Sequence, residues 1–217
     1  LPERLTIPHE VKLSEKAAAM YQQLERTMLL PFADGDVDAA TAAILTNKLL
    51  QLAGGAVYDE NGKAQIVHDQ KLEVLDQLIE EANGQPVLVF YNYKHELDRL
   101  QARYPQAIHV KEENVVKRWN AKEIPILLAN PASAGHGLNL QFGGHIAIWY
   151  SPTWNLEFFQ QANKRLHRRG QAETVLIHTL MAKGTIDERI YDIVLRNKEA
   201  GQNALLEAVK ARIKEVT

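Results

Sequence analysis

Cysteine is absent from the 217 residues. Disulfides and thiolate metal sites are therefore excluded, and the composition suits a reducing compartment. No apolar run is long enough to span a bilayer. The first residues lack the basic-then-apolar order of a secretory signal. Strong charge of either sign is also missing: 25 Lys and Arg against 27 Asp and Glu leave a formal net charge of −2. That total is not the balance of a typical nucleic-acid binder. Internal repeats and low-complexity tracts are absent. The chain opens on Leu1 rather than Met, so a piece of a longer protein is expected.

Apolar residues make up 46% of the chain, enough for a substantial core. The charge is unevenly placed. Residues 1–150 carry a balance of −5 and residues 151–217 a balance of +3. Much of the excess lies in Lys164-Arg165-Leu166-His167-Arg168-Arg169. A focused patch of this kind steers phosphate even when the total is neutral.

The first half reads as helical. Pro2 and Pro8 keep residues 1–12 extended. Ala17, Met20, Tyr21, Leu24 and Met28 repeat at helical spacing after Ser14, and Pro31 ends the run. A second helix is expected over about 37–52 and a third over about 69–82, with 55–68 irregular between them and Asn61-Gly62 as a turn tip. Residues 86–91 then form a short, nearly continuous apolar run, the pattern of a strand buried on both faces. Further strands are expected at 107–110, 124–129, 145–150 and 174–181. They alternate with helices at 94–103, 111–120, 155–169 and from 186 to the end. Alternation of this kind predicts an α/β fold with a parallel sheet flanked by helices and right-handed crossovers. The division expected is a helical region over 1–84, which leads in and inserts, and an α/β lobe over 85–217.

Ligands of open α/β sheets bind beyond the carboxyl ends of the strands, so the segments after the strands are the place to look. After 124–129 comes Asn130-Pro131-Ala132-Ser133-Ala134-Gly135-His136-Gly137, whose small residues allow close backbone approach. It does not satisfy the dinucleotide fingerprint, and on its own is equally a tight turn. After 145–150 comes Ser151-Pro152-Thr153-Trp154-Asn155, with an aromatic able to stack or simply to pack. The third is residues 161–171. On a helix Arg165 and Arg168 share a face. Two guanidiniums so held match phosphoryl oxygens with fork geometry. The competing reading is a solvated basic helix end.

Taken in order and at these separations, the segments resemble the C-terminal helicase half of the Swi/Snf-type ATPases of helicase superfamily two. Gly135-His136-Gly137-Leu138-Asn139-Leu140 is similar to motif five of that family, Trp154-Asn155 to its tryptophan-asparagine signature, and residues 86–91 to its motif-four strand. Gln161-Ala162, Arg165, His167-Arg168 and Gly170-Gln171 match motif six throughout. The resemblance implies a RecA-like second lobe. Arg165 and Arg168 would be arginine fingers, Gln161 would couple them to nucleotide, and Gly137 would lie close to it. Asn92, Lys94, Ser133, Ala134, Gly135 and Trp154 would face DNA. The implied partners are double-stranded DNA and an N-terminal RecA-like lobe, with no membrane.

Departures from the pattern are Ala132 and Ser133 where a lysine and an alanine are common, Ser151 in place of an acidic residue, and Leu156 in place of proline. They point to a bacterial or viral branch, hence to bacterial or host-cell cytoplasm. A phosphate loop GxxxxGK[ST] and an acidic magnesium motif are both lacking; Gly62-Lys63-Ala64 has neither the preceding glycine nor the hydroxyl. ATP and Mg²⁺ are therefore expected only together with a first lobe, and none on this chain alone. His136, His145, His167 and His178 lack ligand spacing, so no metal site is expected. The alternative is a non-catalytic nucleic-acid-binding or regulatory module of the same fold.

Overall fold

The computed structural model describes residues 1–34, 37–134, 137–196 and 202–217. The chain folds as two compact units. The first comprises Leu1–His9, Leu72–Ser151 and Glu157–Leu180; the second comprises Glu10–Lys71, Pro152–Leu156 and Met181–Thr217.

The first unit is built on a sheet. Strands β1 (Arg4–Val11), β4 (Val87–Phe90), β5 (Ile108–His109), β6 (Ile126–Ala129), β7 (Ile146–Trp149) and β8 (Val175–Ala182) lie in the order β1-β8-β7-β4-β6-β5. The described pairings are parallel, with Val87 opposite Ile126 on one side and Ile146 on the other. β4, β6 and β7 are buried along their whole length. That is why they read as unbroken apolar runs rather than alternating ones. Helices α3 (Gln70–Glu81), α4 (Lys94–Arg103), α5 (Val115–Asn120), α6 (Pro131–Ala134) and α7 (Leu156–Asn163) connect the strands. Phe90, Trp119, Leu127, Leu140, Trp149 and Leu166 share one core. Trp119 is fully buried and donates its indole N–H to the Leu140 carbonyl at 2.8 Å. Gly143 is required beside it, because a Cβ there would lie 2.3 Å from the Trp119 carbonyl oxygen.

Where β1 meets β8, the His9 Nε2 and His178 Nδ1 are 2.7 Å apart and the rings stack at 5.0 Å. Such a contact holds one proton between two nitrogens, so a doubly charged pair is disfavoured. Burial, and then the proximity of His9, lower His178 to about 4 from the ordinary 6.5. Burial lowers His9 as well, with Glu81 opposing it. His95 on α4 is also lowered to about 4, by burial and then Arg99, against Asp98. A histidine depressed on folding binds its proton more readily in the unfolded chain. Its contribution is complete above about pH 6.5 and is lost as pH falls towards 4. The melting temperature should therefore drop across that interval, and His178→Asn should make the drop shallower without removing it, because His95 and the other histidines lowered by burial, His9, His109 and His145, also contribute. A melting curve for His178→Asn with the same pH slope as wild type would contradict this assignment.

The second unit is mostly helical. Helices α1 (Glu15–Leu29), α2 (Ala39–Gly54), α8 (Ile186–Ile190) and α9 (Gln202–Val216) pack together, α2 lying against α1, α8 and α9. Ser14 and Asp38 cap α1 and α2 by accepting from Ala17 N and Thr41 N. A 3₁₀ turn (Leu30–Phe32) follows α1, and a π-helical stretch (Tyr191–Arg196) follows α8. Residues 55–68, expected to be irregular, contain the hairpin of β2 (Ala56–Tyr58) and β3 (Ala64–Ile66). Three-residue strands are too short to show alternation. Their register is instead set by Asp59, whose carboxylate accepts from Asn61 N, Lys63 N and Gln65 Nε2.

Among the described residues, two ion pairs are buried in this unit. Lys71 Nζ lies 2.6 Å from Asp187 Oδ2, with both side chains at 0% exposure. The same carboxylate oxygen accepts from Ala182 N at 2.9 Å. Arg212 holds Glu25 through two bonds of 2.8 and 2.7 Å, and Tyr21 donates to Glu25 at 2.7 Å. Buried charges of this kind persist only when paired.

Candidate functional site

Helix α7 stops at Asn163, six residues short of the helix expected over 155–169. Residues 164–170 are turns. The Arg165 carbonyl, which a continuing helix would give to Arg169, instead accepts from Leu140 N at 3.3 Å. Asn163 is held from the other side, its Oδ1 accepting from Trp149 Nε1 at 3.0 Å. Leu166 is fully buried. Gly170 closes the turns at φ +94°, a conformation suited to glycine. Arg165 and Arg168 are therefore presented by a pinned turn, not by a helix face.

The position in the sheet also differs from the expectation. α7 carries the chain back from the end of β7, so residues 164–174 reach the edge where β8 begins. Gln171 Nε2 donates there to the carbonyls of Gly144, Gln141 and Leu166. Asn120, just before β6, donates to the Asn139 carbonyl. The arginines thus lie at the amino edge of the strands, opposite the carboxyl edge to which the open-sheet rule points. The rule fails here because these residues end a crossover rather than begin one.

At this edge the two glycine- and arginine-bearing segments meet. Leu140 N bonds the Arg165 carbonyl, and Arg168 Nη1 donates to Asn139 Oδ1. Gln161, Arg165 and Arg168 line one open cavity of about 480 Å³ together with Leu1, Arg4, Lys164, His167 and Arg169. The lining contains four arginines, one lysine and no carboxylate. Burial, and then Arg168, lower the pKa of Arg165. Gln161 donates to Glu157 at 2.8 Å on the outer side of α7. Guanidiniums converging on a cavity whose lining holds no carboxylate are matched to a ligand with several anionic oxygens. Gly137 has φ +68° and open space where a Cβ would stand, so its backbone is approachable.

The carboxyl edge gathers other residues. Asn130 Nδ2 donates to the Tyr91 and Asn92 carbonyls, joining the ends of β4 and β6. Asn92 N donates to Glu96 Oε2. Lys94 is exposed and pairs with Asp98 at 3.0 Å. Ser133 is half-buried, whereas Ala134 is fully buried and its N–H bonds the Asn130 carbonyl. Ala134 therefore has neither side chain nor amide to offer a ligand, contrary to the expectation. Gly135 lies outside the described residues. Trp154 belongs to the second unit, half-buried, with its indole N–H given to Asn47 Oδ1 at 3.4 Å.

Several residues of the basic cavity escaped the sequence reading. Lys164, His167 and Arg169 were visible as a charge run but had no assigned position. Arg4 carried no signal, since nothing local connects it to residues more than 150 positions later.

The helicase conserved C-terminal domain matches residues 70–170. Protein p41 of Acyrthosiphon pisum secondary endosymbiont phage 1 is 40% identical over 210 residues, covering 93% of this chain and 45% of its own length. The chromatin-remodeling ATPase INO80 of Mycosarcoma maydis is 32% identical over 170 residues, covering 70% of this chain and 9% of its own length. The chain thus spans less than half of these relatives. Among solved structures, the Sulfolobus solfataricus SWI2/SNF2 ATPase core superposes with a TM-score of 0.73 at 18% identity, over 100% of this chain and 49% of that one. The same core in complex with double-stranded DNA gives 0.66 at 19% identity, over 96% and 48%. Among the described residues no helix is long and apolar enough to cross a membrane. With the six-stranded parallel sheet, these likenesses identify the chain as a C-terminal helicase lobe of the SWI2/SNF2 type.

Proposed function

We propose that the chain is the second motor lobe of an ATP-dependent DNA translocase, supplying arginine fingers to a nucleotide held by another lobe. One observation carries the reading: Gln161, Arg165 and Arg168 converge on a cavity whose lining is cationic and lacks any carboxylate. That donor set fits phosphate oxygens. ATP with Mg²⁺ would be bound chiefly by a phosphate-loop lobe, which this sequence does not contain, and supplies the transferable phosphoryl group. The part of this chain is to place two guanidiniums where negative charge grows during transfer, and to fix them through Leu140, Asn139 and Asn163. Gln161, on the same wall, would orient the group between nucleotide and fingers.

DNA is assigned to the opposite edge. Asn92, Lys94 and Ser133 stand there, and a structural neighbour was solved with double-stranded DNA. Trp154 is assigned to the minor-groove side. Contacts to backbone phosphates would be sequence-tolerant and salt-sensitive. The protein should therefore act on double-stranded DNA of many sequences.

The isolated chain should hydrolyse no ATP above background, with or without DNA. Mixing it with, or joining it to, a phosphate-loop lobe of the same family should restore DNA-stimulated turnover. Robust DNA-stimulated hydrolysis by the isolated 217 residues would refute this division of the site. A joined protein that binds DNA and never turns over would favour the non-catalytic module instead.

A further inference from the structure

Arg4 lies outside the helicase-domain match and outside every motif, yet its side chain lines the basic cavity. Its placement is set by the backbone on both sides. The Pro2 carbonyl lies 2.8 Å from His167 Nε2, and the Glu3 carbonyl accepts from Val175 N at 2.9 Å. β1 is thus fastened to the arginine turn at one point and to β8 at the next, immediately before Arg4. Arg4 itself is exposed and, among the described residues, has no carboxylate within ion-pair distance. An arginine has no structural need to join three others and a lysine. Like charges around a cavity whose lining holds no carboxylate repel, and an entering anion relieves that repulsion.

We propose that Arg4 is a phosphate-contacting residue of the nucleotide site, a guanidinium delivered from the first strand to the polyphosphate that Arg165 and Arg168 meet. The proposal rests on the reading of the cavity as a nucleotide-phosphate site. It adds to that reading a contact from 161 residues upstream of Arg165. Through the His167–Pro2 contact, the position of β1 and the position of the arginine turn are set together. Arg4 also distinguishes longer phosphate chains from shorter ones, because it widens the cationic wall beyond the pair formed by Arg165 and Arg168.

The test is titration of the 217-residue chain with inorganic tripolyphosphate and with inorganic orthophosphate, by calorimetry at several salt concentrations. Arg4→Ala should weaken tripolyphosphate binding by about tenfold, as for a lost charge-assisted bond, and should reduce its salt dependence. Orthophosphate binding should change less. Arg4→Lys should recover part of the loss, and the melting temperature of Arg4→Ala should match wild type, since the side chain is exposed. If Arg4→Ala binds tripolyphosphate as wild type does while Arg165→Ala loses it, Arg4 is not a contact and the cavity reading stands. If neither variant changes binding, or the wild-type chain does not bind tripolyphosphate, the proposal falls along with the cavity reading.

Discussion

Arg168→Ala, placed in a protein that joins this chain to a phosphate-loop lobe, should lower the turnover number for ATP by about 10³-fold or more, the range known for arginine fingers. The side chain lines the basic cavity and is steadied by Asn139 Oδ1. On the proposed finger role, its loss would remove a fixed positive charge from the place where transferring oxygens gain negative charge. Arg168→Lys should recover little, because lysine keeps the charge and loses the fork. Arg165→Ala should behave like Arg168→Ala. The salt slope of DNA binding should stay close to wild type for both, since neither residue is assigned to the DNA-facing edge. Turnover of Arg168→Ala near wild type would sink the finger assignment. A parallel fall in melting temperature and turnover would instead mark Arg168 as a support for the loop at Asn139. Asn139→Ala separates the two, because it removes the support and spares the charge.

Breaking the Lys71–Asp187 pair should be the most destabilising polar substitution in the second unit. Both side chains are inaccessible to solvent, and Asp187 Oδ1 has no hydrogen-bond partner among the described residues. Lys71→Met leaves the carboxylate with the Ala182 N–H but without its countercharge. Removing one member of a buried pair costs about 3–5 kcal/mol. Asp187→Leu strands the ammonium instead and also releases the Ala182 N–H. The double variant should lose less than the sum of the two, since no uncompensated charge remains. Denaturant unfolding of the four proteins measures each term. A loss below about 1 kcal/mol for Lys71→Met would mean that the pair behaves as an exposed ion pair.

Much of the architecture was legible because burial writes itself into composition. Residues 86–91 are apolar without alternation, and β4 is covered on both faces. Helix α4 begins at Lys94 and ends at Arg103, where periodicity placed it. The site was less legible for two physical reasons. A tertiary bond from Leu140 takes the Arg165 carbonyl out of the helix, and no local propensity foresees a competitor 25 residues away. The edge was misplaced because the open-sheet rule concerns loops that follow strands, whereas the arginines precede one. Their spacing placed Arg165 and Arg168 close together, and both line the one basic cavity. Ala134 was misread because a four-residue helix, α6, turns its side chain into the core. Arg4 was invisible because its neighbours in space are set by strand pairing across nearly the whole sequence.

That pairing bears on how the protein is made. The strand that β1 lies against, β8, is synthesised roughly 170 residues after it, and strand pairs separated this far in sequence form late. Until then β1 exposes an unsatisfied edge, a hazard for pairing with a neighbouring nascent chain. Glu3, Arg4, His9 and Glu10 place ionisable side chains along or beside this strand, which makes intermolecular pairing unfavourable during the wait. The inner strands β4, β6 and β7 assemble from segments much closer together and give β8 a surface to join. The basic cavity, which needs β1 beside the turn that leads into β8, is then among the last features of the molecule to take shape.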